Sequence, residues 1–430
     1  MPTRTVFEAC RPRDEVLHGE LREQQFAASL TRVLRREADP VYGDPGSFFQ
    51  NTYATGGLKA LLREALGRLT GRQGKNAPVI RVETSFGGGK THNLIGLLHA
   101  CRDPVAVRTF PDFVPADLLP GEPVRLVAGV VGGDLDPANG VDHGGVRTFT
   151  LWGEIAYQLG GAAGYKVVRE SDEQRVAPGT QVWEKLVGAE PALVMIDEVA
   201  EYLRKARGVK SASGGTTVAE QTVAFLMDLI KFAAESTKTV LVYTLADARD
   251  AFGKETEEFR QDLTEARSVS ARQEHVLTPT AENEISAIVG HRLFAHIDKS
   301  AAKEVASRFA DYYARVIGQG VDLPSRATRP EFRSELAQDY PFHPELLTTL
   351  NRKTSTIPNF QKTRGVLRLL AQVVRGLWHE RPADCMLIAP HHLGLADDGV
   401  ASDLTSRLDR PAFKQVIEAD TATASAPARS

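Results

Sequence analysis

Residues 84–92 read Thr-Ser-Phe-Gly-Gly-Gly-Lys-Thr-His and follow directly on the apolar run Pro78-Val79-Ile80-Arg81-Val82. A strand feeding a glycine-rich turn that opens a helix admits few folds. Three successive glycines let backbone N–H groups turn inward on a polyanion. In that pattern Lys90 reaches the β- and γ-phosphates of a nucleoside triphosphate and the Thr91 hydroxyl takes Mg2+. Ser85, Phe86, Gly87, Gly88, Gly89 and His92 complete the expected cradle. One position departs from the usual spacing G-x-x-x-x-G-K-[ST]. Thr84 stands where the first glycine belongs, so a residue with a Cβ makes the first turn.

A second apolar run, Pro191-Ala192-Leu193-Val194-Met195-Ile196, ends in Asp197-Glu198 and reads as a buried strand whose end meets the metal. A central parallel strand brings Asp197 beside the phosphate loop, where it holds Mg2+ through water, and leaves Glu198 to polarise the attacking water. Neighbouring residues on a strand point to opposite faces, so the two acids take different jobs. Alone, such a strand end is often a strand meeting solvent; paired with the loop, it completes a hydrolysis site.

Between and beyond these motifs, strands are expected at 124–131, 239–244 and 275–277, and helices at 58–69, 93–101, 151–159 and 218–234. Strand–helix alternation at this spacing predicts an α/β fold: a parallel sheet with helices on both faces. Ligands of such sheets sit at the C-terminal strand edge, which points Thr244 towards the γ-phosphate, although a threonine there also serves to cap a turn. Arg272, just before the last strand, has the location of an arginine finger for a neighbouring subunit, or else is a surface residue in a salt bridge. The base pocket is expected near Asn51-Thr52-Tyr53, residues that also suit packing of a helix against the sheet.

From Thr280, a candidate N-cap, the pattern turns helical through Phe294, with further helices at 301–317, 343–352 and 360–370. A helical domain after such a core reads as a lid, and Arg364 near a helix start is its candidate nucleotide sensor. The expected organisation is therefore an N-terminal helical segment at 1–76 packing on the core, a P-loop core at 77–279, a lid at 280–395 and an extension at 396–430 ending in a structureless tail from Ala419. There is no internal repeat.

The chain of 430 residues, 42% hydrophobic and 25% charged, is long enough for two or three domains. No apolar stretch reaches the roughly eighteen residues of a membrane span, and the N-terminus lacks an export signal, so a soluble cytoplasmic protein with no membrane partner is expected. Cys10, Cys101 and Cys385 lie far apart, without zinc or disulfide spacing, and read as buried free thiols. A net charge of −3 argues against coating nucleic acid by bulk charge. Residues 301–381 nonetheless carry thirteen Lys or Arg against eight Asp or Glu, either a weak DNA-facing patch or a solvated helical surface.

Val6 to Leu17, Phe48 to Lys59, Glu83 to His92, Thr150-Leu151-Trp152-Gly153-Glu154 with Tyr157 to Gly161, and Ile196 to Tyr202 resemble a prokaryotic AAA+ ATPase family. That family was once catalogued as a domain of unknown function and is encoded in phage-defence islands beside DNA methyltransferase and nuclease-like genes. The resemblance covers about residues 5–395 and suggests the N-terminal ATPase part of longer members. It implies ATP with Mg2+, a homo-oligomer, a methyltransferase or nuclease partner, and DNA as the target. Gly87, Gly88, Gly89, Lys90 and Thr91 match its phosphate loop and Asp197 and Glu198 its acids, while Arg272 and Arg364 match finger and lid positions only loosely. Two function classes follow: an ATP-hydrolysing motor or switch of a defence assembly, which Glu198 favours, or a nucleotide-gated scaffold whose slow hydrolysis times partner release. A small-molecule kinase is disfavoured by the size of the downstream helical region.

Overall fold

Short runs of β-branched and aliphatic side chains, apolar on both faces, build one parallel sheet at the centre of the chain. The computed structural model describes residues 4–19, 28–72, 76–83, 89–212, 214–245, 255, 257, 258, 260, 261, 274–353, 362–394, 400 and 419. They fall into two units, one of Ala28–Ala281 and one of Met1–Ala27 with Glu282–Ser430.

In the first unit the strands are β1 (Val79–Val82), β2 (Leu126–Val131), β3 (Ala192–Asp197), β4 (Thr239–Thr244) and β5 (Glu274–Leu277). Their order in the sheet is β2-β3-β4-β1-β5, with every pair parallel. The chain leaves β1 for the far edge and returns strand by strand, so β4 lies between β3 and β1. Alternation sorts the side chains into two cores. Ile80, Val82, Leu193, Met195, Val240 and Val242 face α1 (Gly56–Leu69) and α2 (Lys90–Arg102). Ala192, Val194, Ile196, Leu241 and Tyr243 face α3 (Leu151–Glu173), α4 (Val199–Ala206) and α5 (Val218–Glu235).

The helices follow from their caps and apolar stripes. Thr55 caps α1 by accepting the Leu58 N–H, and Leu58, Leu61, Leu62, Ala65, Leu66 and Leu69 form its buried face. Thr217 and Glu220 make a capping box on α5. The helix expected at 151–159 forms and is broken at Gly161, whose φ 61, ψ −149 is not helical; a second helical stretch follows the kink and completes α3 to Glu173.

The second unit is helical, as its pattern predicts, around a core that includes Val6, Val289, Leu293, Phe342 and Leu370. Its helices include Lys299–Gly318, Phe332–Asp339, Pro344–Lys353 and Lys362–Glu380. The helix expected to run through Phe294 stops at Leu293, its N-cap being Glu284 and not Thr280. Phe294–Ile297 is instead a strand, antiparallel to Cys10–Pro12. The expected N-terminal segment is thus divided: residues 4–19 join this unit and 28–72 the sheet unit. Strands of three and four residues are too short to carry a readable period. The tail beyond Ala419 lies outside the described residues. Among the described residues no helix is long and apolar enough to cross a membrane, and the three cysteines are free and buried.

Candidate nucleotide site

Strand parity decides what meets at the C-terminal edge of the sheet. Asp197 has the parity of Leu193 and Met195, and Thr244 that of Val240 and Val242, so both emerge on the face that packs α2. Thr91, in the first turn of α2, donates its hydroxyl proton to Asp197 Oδ2 at 2.6 Å. Thr244, on the intervening strand, donates to Asp197 Oδ1 at 2.5 Å and accepts from the Glu198 N–H at 2.9 Å. The Glu198 N–H also lies 3.1 Å from Asp197 Oδ1. Asp197 and Thr244 are 1% and 0% exposed and Thr91 is half-buried, so residues of three elements fix this cluster. Because a hydroxyl has one proton, Thr244 spends its own on Asp197 and acts here as the orienting group of the carboxylate.

Glu198 leaves the strand at φ 55, ψ 44, a left-handed conformation that costs a non-glycine residue about 1 kcal/mol, and caps α4. Its side chain reaches solvent. Even so, the protein around its carboxyl thins its solvation, and this, followed by the charges of Asp197, Glu201 and Asp134, pushes its pKa up to about 7 against the opposing charge of Lys90.

Lys90 opens α2, and Gly89 stands at its N-cap at φ 87, a left-handed turn with no side-chain cap, which sets the positive end of the helix dipole there. A Cβ at Gly89 would lie 3.0 Å from Thr280 Oγ1. Thr84, Ser85, Phe86, Gly87 and Gly88 lie outside the described residues, as does Arg272. Arg364 belongs to the helix Lys362–Glu380 of the other unit, with its side chain undescribed. The ring of His92 packs 4.5 Å from that of Phe48, and its Nε2 lies 2.9 Å from Thr52 Oγ1. Thr52 gives its proton to the Phe48 carbonyl at 2.6 Å, so His92 Nε2 is the donor to it. Thr52 is buried and helps fix α2, while Tyr53 is exposed.

Thr91 and Asp197 offer hard oxygens in contact with each other; among the described residues no group of three or more His, Cys, Asp or Glu side chains is set up to hold a metal by itself. A cation that keeps most of its waters and takes phosphate oxygens fits such a sparse set. Two glycines had no sequence signal: Gly132 and Gly133, after β2, lie against the start of α4. Nor did the charged network at the end of β1, where the local pair Arg81–Glu83 (2.9 Å) is joined by the long-range pairs Arg81–Glu274 (3.4 Å) and Arg260–Glu83 (2.9 Å).

Residues 6–277 match the DUF499 N-terminal domain and residues 280–428 the DUF499 second domain. The chain belongs to the DUF499 family. The boundary between the two DUF499 domains falls at 277–280, next to the division of the structural units at 281. No curated protein matches the chain.

Proposed function

We propose that this DUF499 chain binds Mg2+-ATP and hydrolyses it in the manner of an AAA+-type ATPase. The single observation that carries the reading is the Thr91–Asp197–Thr244 cluster beside Glu198, which unites residues of three separate elements at one sheet edge. Lys90 and the first N–H groups of α2 bind and orient the phosphates. Asp197, held by Thr244, and Thr91 are the residues for Mg2+, which supplies neutralisation of the charge that develops on the phosphate oxygens. Glu198 takes a proton from water as its oxygen bonds to the γ-phosphorus and the bond to the β-phosphate oxygen breaks, leaving ADP and phosphate. The proposed setting, a motor or switch in an oligomeric defence assembly acting on DNA with a methyltransferase or nuclease partner, rests on the family resemblance of the sequence.

The test separates binding from turnover. Lys90→Ala is expected to abolish binding of a fluorescent ATP analogue, whereas Glu198→Gln keeps binding and lowers phosphate release by about 10²–10⁴-fold. Parental phosphate release by Glu198→Gln removes Glu198 from the role of base.

A further inference from the structure

The chain turns at Val131–Asp134, with the Asp134 N–H reaching the Val131 carbonyl at 3.1 Å, and carries two glycines across the first turn of α4. The Gly132 N–H continues the β2–β3 ladder by donating to the Asp197 carbonyl at 2.8 Å. A Cβ at Gly132 would lie 2.3 Å from the Glu198 carbonyl oxygen and 2.8 Å from Tyr202 Cβ. A Cβ at Gly133 would lie 2.6 Å from Glu198 Oε2 and 3.2 Å from the carboxyl of Glu201. The first approach is to backbone and closed to any side chain. The second is to the end of a flexible side chain, which an added methyl would displace.

On α4, Glu198, Glu201, Tyr202 and Lys205 stand at i, i+3, i+4 and i+7 and so form one stripe facing this turn. Lys205 Nζ donates to the Gly133 carbonyl, lies 3.5 Å from the Gly132 carbonyl, and sits 3.7 Å from Glu201 Oε1. The ammonium thus ties the glycine turn to the same helix whose N-cap is Glu198.

We propose that Gly132 and Gly133, tied down by Lys205, are a rest that holds the Glu198 carboxyl in its working position, which makes Lys205 and Gly133 positioning residues for water activation. The inference rests on the hydrolytic reading above. It also explains how Glu198 keeps a left-handed backbone: the surroundings, rather than the residue, determine it.

The experiment compares full-length parent, Gly133→Ala, Lys205→Met and Lys205→Arg for phosphate release, affinity for the fluorescent ATP analogue and melting temperature. Gly133→Ala is expected to lower kcat by about ten- to a hundredfold, with analogue affinity within about twofold of the parent. Lys205→Met is expected to lower kcat several-fold, and Lys205→Arg, which keeps a cationic donor, to recover most of it. In a Glu198→Gln background Gly133→Ala is expected to cost nothing more, since the group it displaces is already gone. Parental kcat in Gly133→Ala overturns the proposal. So does a Lys205→Met protein whose affinity and melting temperature fall in step with its turnover, because that is a folding role. A parent that binds the analogue but releases no phosphate overturns the hydrolytic reading, and this inference with it, whereas an active parent beside an equally active Gly133→Ala sinks this inference alone.

Discussion

Asp172 and Asp197 are both shut away from water, 0% and 1% exposed, and both carboxylates are richly hydrogen-bonded. Asp172 accepts from the Phe149 and Thr150 N–H groups at 3.0 and 2.9 Å, from the Thr150 hydroxyl at 2.5 Å and from the Tyr165 hydroxyl at 2.9 Å. All these donors belong to one segment that ends at Asp172 itself, so the carboxylate staples the start of α3 to its last turn. Asp197 draws its side-chain donors from residues 106 and 47 positions away, on α2 and β4. The difference teaches that burial and hydrogen bonding alone do not single out a candidate functional acid. What separates the two is whether the donors are local, and so fasten one element, or convergent, and so gather several elements at the edge where nucleotide binding is proposed.

Four substitutions break or sharpen this contrast. Asp197→Asn should have the largest effect, a loss of about a thousandfold in phosphate release with little change in melting temperature; a protein that unfolds instead would make Asp197 a second staple. Asp172→Ala should behave in the opposite way. It strands buried donors, and urea denaturation is expected to register about 2–4 kcal/mol of lost stability, with the folded fraction turning over ATP within about twofold of the parent. Thr244→Val keeps shape and removes the bridge between Asp197 and the Glu198 N–H, so turnover should fall about tenfold while the analogue still binds.

The smallest effect belongs to a third, only half-buried aspartate. Asp298 caps the helix Lys299–Gly318 by accepting from the Ser300 hydroxyl and N–H, both at 2.7 Å, and pairs with Arg4 at 2.6 Å. These bonds, the Ser300 hydroxyl first, hold its carboxyl below its ordinary value of 3.8. A depressed pKa contributes stability that is fully present above 3.8 and lost as pH falls through the folded value. Amide exchange in the first turn of that helix should therefore quicken in acid, and Asp298→Ala should show the quickened rate already at neutral pH.

The sheet was legible because its strands are buried on both faces: the aliphatic runs ending at Val82, Asp197 and Thr244 announce themselves without any period. The pairing of Thr91 with Asp197 followed from chemistry, because a loop for phosphate needs a metal and the metal needs an acid. The insertion of β4 between them was not legible, since strand order is fixed by tertiary packing. Thr244 therefore read as a group facing phosphate, and only the geometry showed where its proton goes. Gly132 and Gly133 were silent for a related reason: glycine in a turn is ordinary, and its necessity here comes from a helix 65 or more residues further along the chain, near Glu198 and Tyr202.

The parity that puts Asp197 and Thr244 on one side of the sheet carries a constraint for anyone re-engineering this protein. Sequence edits in either strand come in two kinds: swaps, which the sheet tolerates one side chain at a time, and insertions or deletions of a single residue, which rotate the terminal acid to the opposite layer at a stroke. Chemistry that is written into pleat rather than loop cannot be retuned by lengthening; it can only be kept or inverted.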